Sequence, residues 1–278
     1  MNSSINCKGR ILSLNHPIVM GVINLNNESF YQGSRYTTMD TILFKTDNML
    51  NEGALIIDLG YMTSKPGAKI SDPSEEADYI VNTVQELKKR FPDIFISIDT
   101  LHSLVAKEAV MAGADIINDI TSGDYDQSMM TEVAQLQVPY IMMHMKGMPE
   151  NMQNNPQYED VVLEVLTYLK NKVLAATKAG IQDVIIDPGF GFGKQIYHNY
   201  SLLKHLGVFN ILEVPVLAGL SRKSMIWKTL KITPDEALNG TTSLNIYALQ
   251  QGVKILRVHD VKEAMQCIQL FNMIQSVD

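Results

Sequence analysis

Eight short apolar runs rich in β-branched residues recur along the chain, and each ends on a polar residue or a glycine. They are IVMGVIN (18–24), ALIIDLG (54–60), FISIDT (95–100), DIINDI (115–120), PYIMMHM (139–145), VIIDPG (184–189), VPVLAGLS (214–221) and ILRVHDV (255–261). Hydrophobicity within them is continuous rather than alternating, the mark of strands buried on both faces as in parallel sheets. Amphipathic stretches of helix-forming composition lie between them. Pro73, Ser74, Glu75 and Glu76 open one that extends to about residue 90, its acidic first turn favoured by the helix dipole. A second runs from about 158 to 179 and stops at Gly180, which predicts a left-handed cap. A third spans about 234 to 252.

Eight strands alternating with helices, about one unit per 34 residues, predict a single-domain α/β fold of the (β/α)8 TIM-barrel type. A doubly wound open sheet is the competing arrangement, but it usually holds fewer strands. No Pro/Gly/Ser linker or compositional break divides the chain. The expectation is one domain over residues 1–278, with its core at about 18–275.

Composition narrows the class. With 46% hydrophobic and 19% charged residues the chain has enough apolar surface to fold, which excludes intrinsic disorder. Its 17 Gly and 10 Pro show no period, which excludes a collagen-like architecture. Lys and Arg total 23 against 30 acidic residues, a net charge of −7, so no nucleic-acid partner is expected. Cys7 and Cys267 are too few for a disulfide framework and suit a reducing compartment. The N-terminus MNSSINCKGRILSLNHP lacks the apolar stretch of a secretory signal. No apolar run approaches the ~20 residues of a membrane span. A cytoplasmic protein without membrane contact is expected.

In parallel α/β folds ligands sit beyond the carboxyl ends of the strands. Those ends carry Asn24, Asp58, Asp99, Asn118, His144, Asp187, Arg222 with Lys223, and Arg257 with His259. Asp and Asn also start turns, which accounts for any one of these positions. Eight together exceed that explanation. Asp99 and Asp187 end buried strands, where an unpaired charge is costly, and a heteroaromatic ring with amino and N–H donors would satisfy them. Arg257 and His259, two apart, join Arg222 and Lys223 as a cationic cluster suited to phosphate. The competing account makes Arg257 and Lys223 solvated surface charges.

The glycine-rich DPGFGFGK (187–194) fits neither a Walker A loop nor GxGxxG. At a strand end it predicts a wall for a flat ligand, with Phe190 or Phe192 as the stacking face. The six histidines show no HExxH or HxH spacing, so no zinc site is expected. Ser221 lacks the G-x-S-x-G context of a nucleophile. The run Ile141, Met142, Met143, His144, Met145 predicts core and pocket lining.

Taken in order, FISIDT (95–100), AGADIINDI (112–120), MHMKGMPENMQ (143–153), DPGFGFGK (187–194), LAGLSRKS (217–224) and ILRVHDV (255–261) resemble the dihydropteroate synthases from Val19 to about Leu270. Pterin-dependent methyltransferases share the barrel but usually lack the SRKS and RVHDV blocks together. A pterin-binding barrel with altered or lost activity is the other alternative. The resemblance implies condensation of (7,8-dihydropterin-6-yl)methyl diphosphate with 4-aminobenzoate, giving 7,8-dihydropteroate and diphosphate in folate biosynthesis. It implies that Asp99, Asn118 and Asp187 bind the pterin ring, with Lys223 approaching it. Arg257 and His259 would hold the diphosphate, and Asn24 a Mg2+ upon it. Asp99, Lys223, Arg257 and His259 would be the catalytic set. Phe30, Ser64, Lys65, Pro66, Phe192 and Ser224 would surround the aminobenzoate, Ser64 also touching substrate. A homodimer and sulfonamide binding are further implications. Two loops depart from the family pattern. N-x-T-P-D-S-F is replaced by Asn24, Leu25, Asn26, Asn27, Glu28, Ser29 and Phe30, and S-T-R-P-G by Thr63, Ser64, Lys65, Pro66 and Gly67.

Overall fold

The continuous apolar runs are strands whose two faces meet different apolar surroundings. Ile18, Met20, Ile56, Ile116, Ile141, Ile185, Leu217 and Ile255 form one buried cluster, which fills the inside of a barrel. Alternating neighbours such as Val19, Ile57, Ile117, Met142, Ile186, Ala218 and Leu256 belong to a second, larger cluster packed under helices. The two-residue period of a strand makes both assignments at once.

The computed structural model describes residues 4–25, 39–61, 70–148, 152 and 155–277. Two strands, β1 (Ser4–Cys7) and β2 (Arg10–Ser13), precede the barrel as an antiparallel hairpin. Lys8 and Gly9 turn it with φ of 52° and 88°, the doubly positive pair of a tight hairpin. The barrel proper begins with β3 (Ile18–Asn24), α1 (Met39–Asn51), β4 (Ile56–Gly60), α2 (Pro73–Arg90), β5 (Phe95–Asp99) and α3 (Ser103–Ala112). It continues with β6 (Ile116–Asp119), α4 (Met129–Leu136), β7 (Tyr140–Met143), α5 (Val161–Ala179), β8 (Val184–Asp187) and α6 (Ile196–Lys204). The last strands are β9 (Leu217–Ala218), followed by α7 (Ser224–Leu230) and α8 (Leu238–Gln250), and β10 (Ile255–Val258), followed by α9 (Val261–Gln275).

All neighbouring barrel strands pair in parallel in the order β8-β7-β6-β5-β4-β3-β10-β9. The ring closes where Ile186 bridges Val216 and its N–H donates to the Pro215 carbonyl at 3.0 Å. The expected barrel is the observed one. The seventh strand is shorter than expected, only Leu217–Ala218 of the run 214–221, and at its start Pro215 can accept but has no N–H to donate.

The helix boundaries follow local chemistry. Asp72 caps α2 by accepting from the N–H groups of Ser74 and Glu75, while Lys88, Lys89 and Arg90 occupy the last turn. Asp160 caps α5 and Gly180 ends it at φ 97°. The third predicted helix divides into a 3-10 turn, Pro234–Glu236, and α8.

The hairpin lay outside the expected core, yet it belongs to the barrel. Ile5, Cys7, Leu12 and Leu14 join the interior cluster and plug the amino end of the strands. Arg10 and Lys88 both pair with Asp115, at 2.6 and 2.7 Å, and fasten the plug to β5 and α2. Among the described residues no helix is long and apolar enough to cross a membrane.

Candidate active site

One step beyond the apolar interior layer, the strands turn polar. Ile56 is followed by Asp58, Ile116 by Asn118, Ile185 by Asp187 and Ile255 by Arg257, each two residues on. Ser97 on β5 leads likewise to Asp99. The period of two therefore places three carboxylates, an amide and a guanidinium inside the barrel at its carboxyl end.

Asp58 organises them. It is fully buried, and Arg257 Nε donates to its Oδ2 at 2.7 Å. The Asn118 amide donates to Asp58 Oδ2 at 3.2 Å. Arg257 Nη2 donates to Asp99 Oδ2, also at 2.7 Å. The guanidinium is thus held between two carboxylates, leaving Nη1 without a partner among the described residues. Burial pushes the Asp99 carboxyl up to about 7 against the pull of Arg257, with Asp58 adding to the rise. The strand-end position of Asp58 is plain in the sequence, but its part in orienting Arg257 and Asn118 is not.

Asp187 faces this group across the mouth. Its Oδ1 accepts from the Gly189 N–H at 2.7 Å, and Oδ2 has no hydrogen-bond partner among the described residues. Burial raises its carboxyl, with Gly189 and the charge of Lys223 opposing. The Lys223 ammonium makes no hydrogen bond among the described residues; its Nζ lies 4.3 Å from the centre of the Phe192 ring. Burial, aided by the Arg257 charge, brings its ammonium down to about 8.

Of the two candidate stacking residues, only Phe192 lies at the mouth, clustered with Leu101, Ile120, Met143 and Met152. Phe190 is 1% exposed and sits in the outer core under the helices. The methionine run divides as expected, Met142 in the core and Met143 and Met145 beside Phe192.

His259 follows β10. Its Nδ1 lies 3.1 Å from Ser221 Oγ, and its N–H donates to the same oxygen at 3.3 Å. Desolvation of the ring and the Arg257 charge push the imidazole down to about 4. Ser221 is thereby a support for the imidazole rather than a nucleophile. Arg222 corrects the expected cationic cluster. Its Nε and Nη2 bind both oxygens of Asp260 at 2.9 Å, and Nη1 donates to the carbonyls of Pro234 and Asp235. The bidentate pair and the two carbonyls engage four of its five N–H donors, which commits it to Asp260 rather than to a ligand.

Asn24 ends β3 opposite Gly60 and is exposed at the rim. Ser224 begins α7 beside Lys223 and is half-buried. Phe30, Ser64, Lys65 and Pro66 lie outside the described residues, as do the altered positions 26–28. Among the described residues, no three His, Cys, Asp or Glu side chains converge to hold a metal ion.

The mouth thus brings Asp99, Asn118 and Arg257 together on one side and Asp187 with Lys223 on the other, over an apolar floor. Known proteins of similar sequence share the whole framework. Residues 20–259 match the family described as pterin binding enzyme. The dihydropteroate synthase of Escherichia coli K12 is 38% identical over 265 residues, 95% of this chain and 93% of the relative. The Yersinia pestis dihydropteroate synthase, solved with a sulfonamide drug complex, superposes with a TM-score of 0.93 at 36% identity, covering 99% of this chain and all of that one. The Xanthomonas albilineans dihydropteroate synthase, solved with 4-aminobenzoic acid, gives 0.92 at 36% identity with both chains fully covered. This chain belongs to the pterin-binding enzymes and, among them, to the dihydropteroate synthases.

Proposed function

We propose that the polar ring at the barrel mouth binds the dihydropterin of (7,8-dihydropterin-6-yl)methyl diphosphate and condenses it with 4-aminobenzoate. The observation that carries this reading is the set of inward side chains Asp99, Asn118, Asp187 and Arg257 on one level of the barrel, with Lys223 approaching from the loop after β9. A pterin has an amino group and ring N–H donors on one edge and acceptors on the other. Asp187 Oδ2 and the Asn118 amide oxygen would accept from the first edge, and Lys223 would donate to the second. Such buried hydrogen bonds to charged groups are worth ~1.5–3 kcal/mol each.

The exocyclic methylene then points out of the barrel with its diphosphate. His259 and the free Nη1 of Arg257 would hold that group. As the carbon–oxygen bond breaks, electron pair and charge pass to the diphosphate, and the Arg257 guanidinium stabilises it, with the neutral His259 imidazole offering a hydrogen bond. Asp99, beside the ring, would stabilise the positive charge left on the pterin. The aromatic amine of 4-aminobenzoate, set along Phe192 with Ser224 at the rim, attacks the methylene and loses a proton to solvent or diphosphate. No covalent protein intermediate is needed.

The donor set suits Mg2+ in one way only. Asn24 supplies a single hard oxygen at the rim, which fits an ion that keeps its waters and arrives on substrate phosphates. Bound there, Mg2+ would offset charge on the leaving diphosphate. Residues Phe30, Ser64, Lys65 and Pro66 would complete the second-substrate pocket. A second copy of this chain, a homodimer, and a cytoplasmic location are part of the same reading, supported by the family and by the lack of a membrane-spanning helix among the described residues.

The decisive experiment measures diphosphate release with each substrate alone and with both. Release that requires both is expected. Release without 4-aminobenzoate, or none at all with pterin binding intact, would overturn the proposal.

A further inference from the structure

Lys194 closes the glycine-rich loop, and the chemistry above makes no use of it. The residue is 3% exposed. Its Nζ donates to the carbonyls of Gly189 at 2.8 Å, Phe192 at 3.1 Å and His144 at 3.2 Å, and lies 2.9 Å from His144 Nδ1. No carboxylate is paired with it among the described residues. An ammonium carries three donors, so four acceptors around it consume them all.

A buried cation without an anionic partner is expensive, and burial brings this one down to about 7. What it holds together explains why the fold keeps it. Two of its acceptors lie in the loop after β8, and two belong to His144, the first residue beyond β7. These segments touch backbone to backbone. A Cβ on Gly189 would lie 2.0 Å from the His144 carbonyl oxygen, and one on Gly193 2.2 Å from that of Lys146. Tyr158 adds a hydroxyl that donates to the Gly193 carbonyl at 2.8 Å. Three carbonyl dipoles aimed at one point repel each other, and the ammonium turns that repulsion into attraction. One of the three is the carbonyl of Phe192, whose ring carries Lys223.

We infer that Lys194 is a positioning residue for the second substrate: it clamps the loops after β7 and β8 together and so fixes Phe192 as the wall along which the amine is set. The inference rests on the reading of the site given above. Lys194 touches neither substrate itself, since its ammonium is enclosed by its four acceptors.

Lys194→Met keeps the length of the side chain and removes the cation; Lys194→Arg keeps cation and donors. Each is made alone and combined with Phe192→Ala, and steady-state kinetics are read at saturating dihydropterin diphosphate, with pterin affinity from calorimetry. Lys194→Met is expected to raise KM for 4-aminobenzoate tenfold or more, with kcat and pterin affinity changed less than threefold. Lys194→Arg is expected to recover most of that loss. In the Phe192→Ala background the Lys194→Met effect should fall below threefold, because the wall it fixes is gone. Fully additive effects, an unchanged KM, or an equal loss of pterin affinity would overturn the inference. So would loss of fold in both variants, which would assign the lysine to the barrel as a whole. The unsubstituted chain is the control: if it fails to release diphosphate with both substrates present, the functional reading itself has failed.

Discussion

Arg257 is bound on two sides by carboxylates, and that changes what its removal should do. As a phosphate ligand alone, Arg257→Ala would weaken diphosphate binding far more than binding of a pterin without phosphate. With its Nε and Nη2 on Asp58 and Asp99, the same substitution leaves the fully buried Asp58 and the half-buried Asp99 uncompensated. We expect a loss of ~3–5 kcal/mol of stability by urea denaturation. Adding Asp58→Asn should restore part of it, which a residue serving only the ligand would not show. Asp187 invites a finer dissection, because its two oxygens do different work. Asp187→Asn keeps an acceptor for the Gly189 N–H but loses the charge offered to the ring, whereas Asp187→Ala loses both. Calorimetry should give a pterin affinity weakened by ~1.5–3 kcal/mol in each, with the turn after β8 disturbed only in the alanine variant. Unchanged affinity in a folded Asp187→Ala would remove the residue from the site.

The loop after β8 shows at the scale of elements why glycine can be indispensable without touching a ligand. Gly189 and Gly193 have φ of 71° and 58° and lie against the backbone of the preceding loop. Alanine at either position meets a carbonyl oxygen that cannot swing aside as a side chain would. Gly189→Ala or Gly193→Ala should therefore raise KM for 4-aminobenzoate or abolish folding, whereas Gly180→Ala, with open space around it, should cost only ~1 kcal/mol in α5 stability. Circular dichroism melts of the three variants make the comparison. Legibility in the sequence follows the same physics. Strands buried on both faces announce themselves as apolar runs, and their polar ends as Asp99, Asn118, Asp187 and Arg257, because period and direction are local properties. What Arg222 does is not local. It stands next to Lys223 in the chain, yet its left-handed backbone, φ 53°, turns it to Asp260, 38 residues on. The β1–β2 hairpin has the alternation of Ile5, Cys7, Leu12 and Leu14, but four-residue strands carry too little pattern to be read without the barrel they plug. Lys194 looks like a free loop cation until three carbonyls from two loops are brought round it.

For the molecule as a whole, buried titratable groups set the response to acid. Burial holds His144 neutral, its imidazole brought down to about 2 from 6.5. Between those values the unfolded chain binds a proton there that the folded chain refuses. The contribution is therefore complete above pH 6.5 and is lost as pH falls, at about 1.4 kcal/mol per pH unit for one proton. Asp99 acts oppositely, since its raised carboxyl favours the folded state at low pH and loses that contribution as pH rises from about 4 to 7. His144→Gln should accordingly flatten the decline of the urea midpoint between pH 6.5 and 5. A decline as steep as in the parent would show that His144 titrates as freely folded as unfolded. The plugged amino end of the barrel has a consequence of a different kind. With Ile5, Cys7, Leu12 and Leu14 filling the floor, the cavity is a cul-de-sac, and everything that enters must leave by the same door. On the proposed reading the pterin subsite would lie at the bottom of that corridor and the aromatic wall at its threshold. Traffic would then be sequential: an amine arriving first would bar the way to the pterin, and the joined product would back out past the point at which its second half was added.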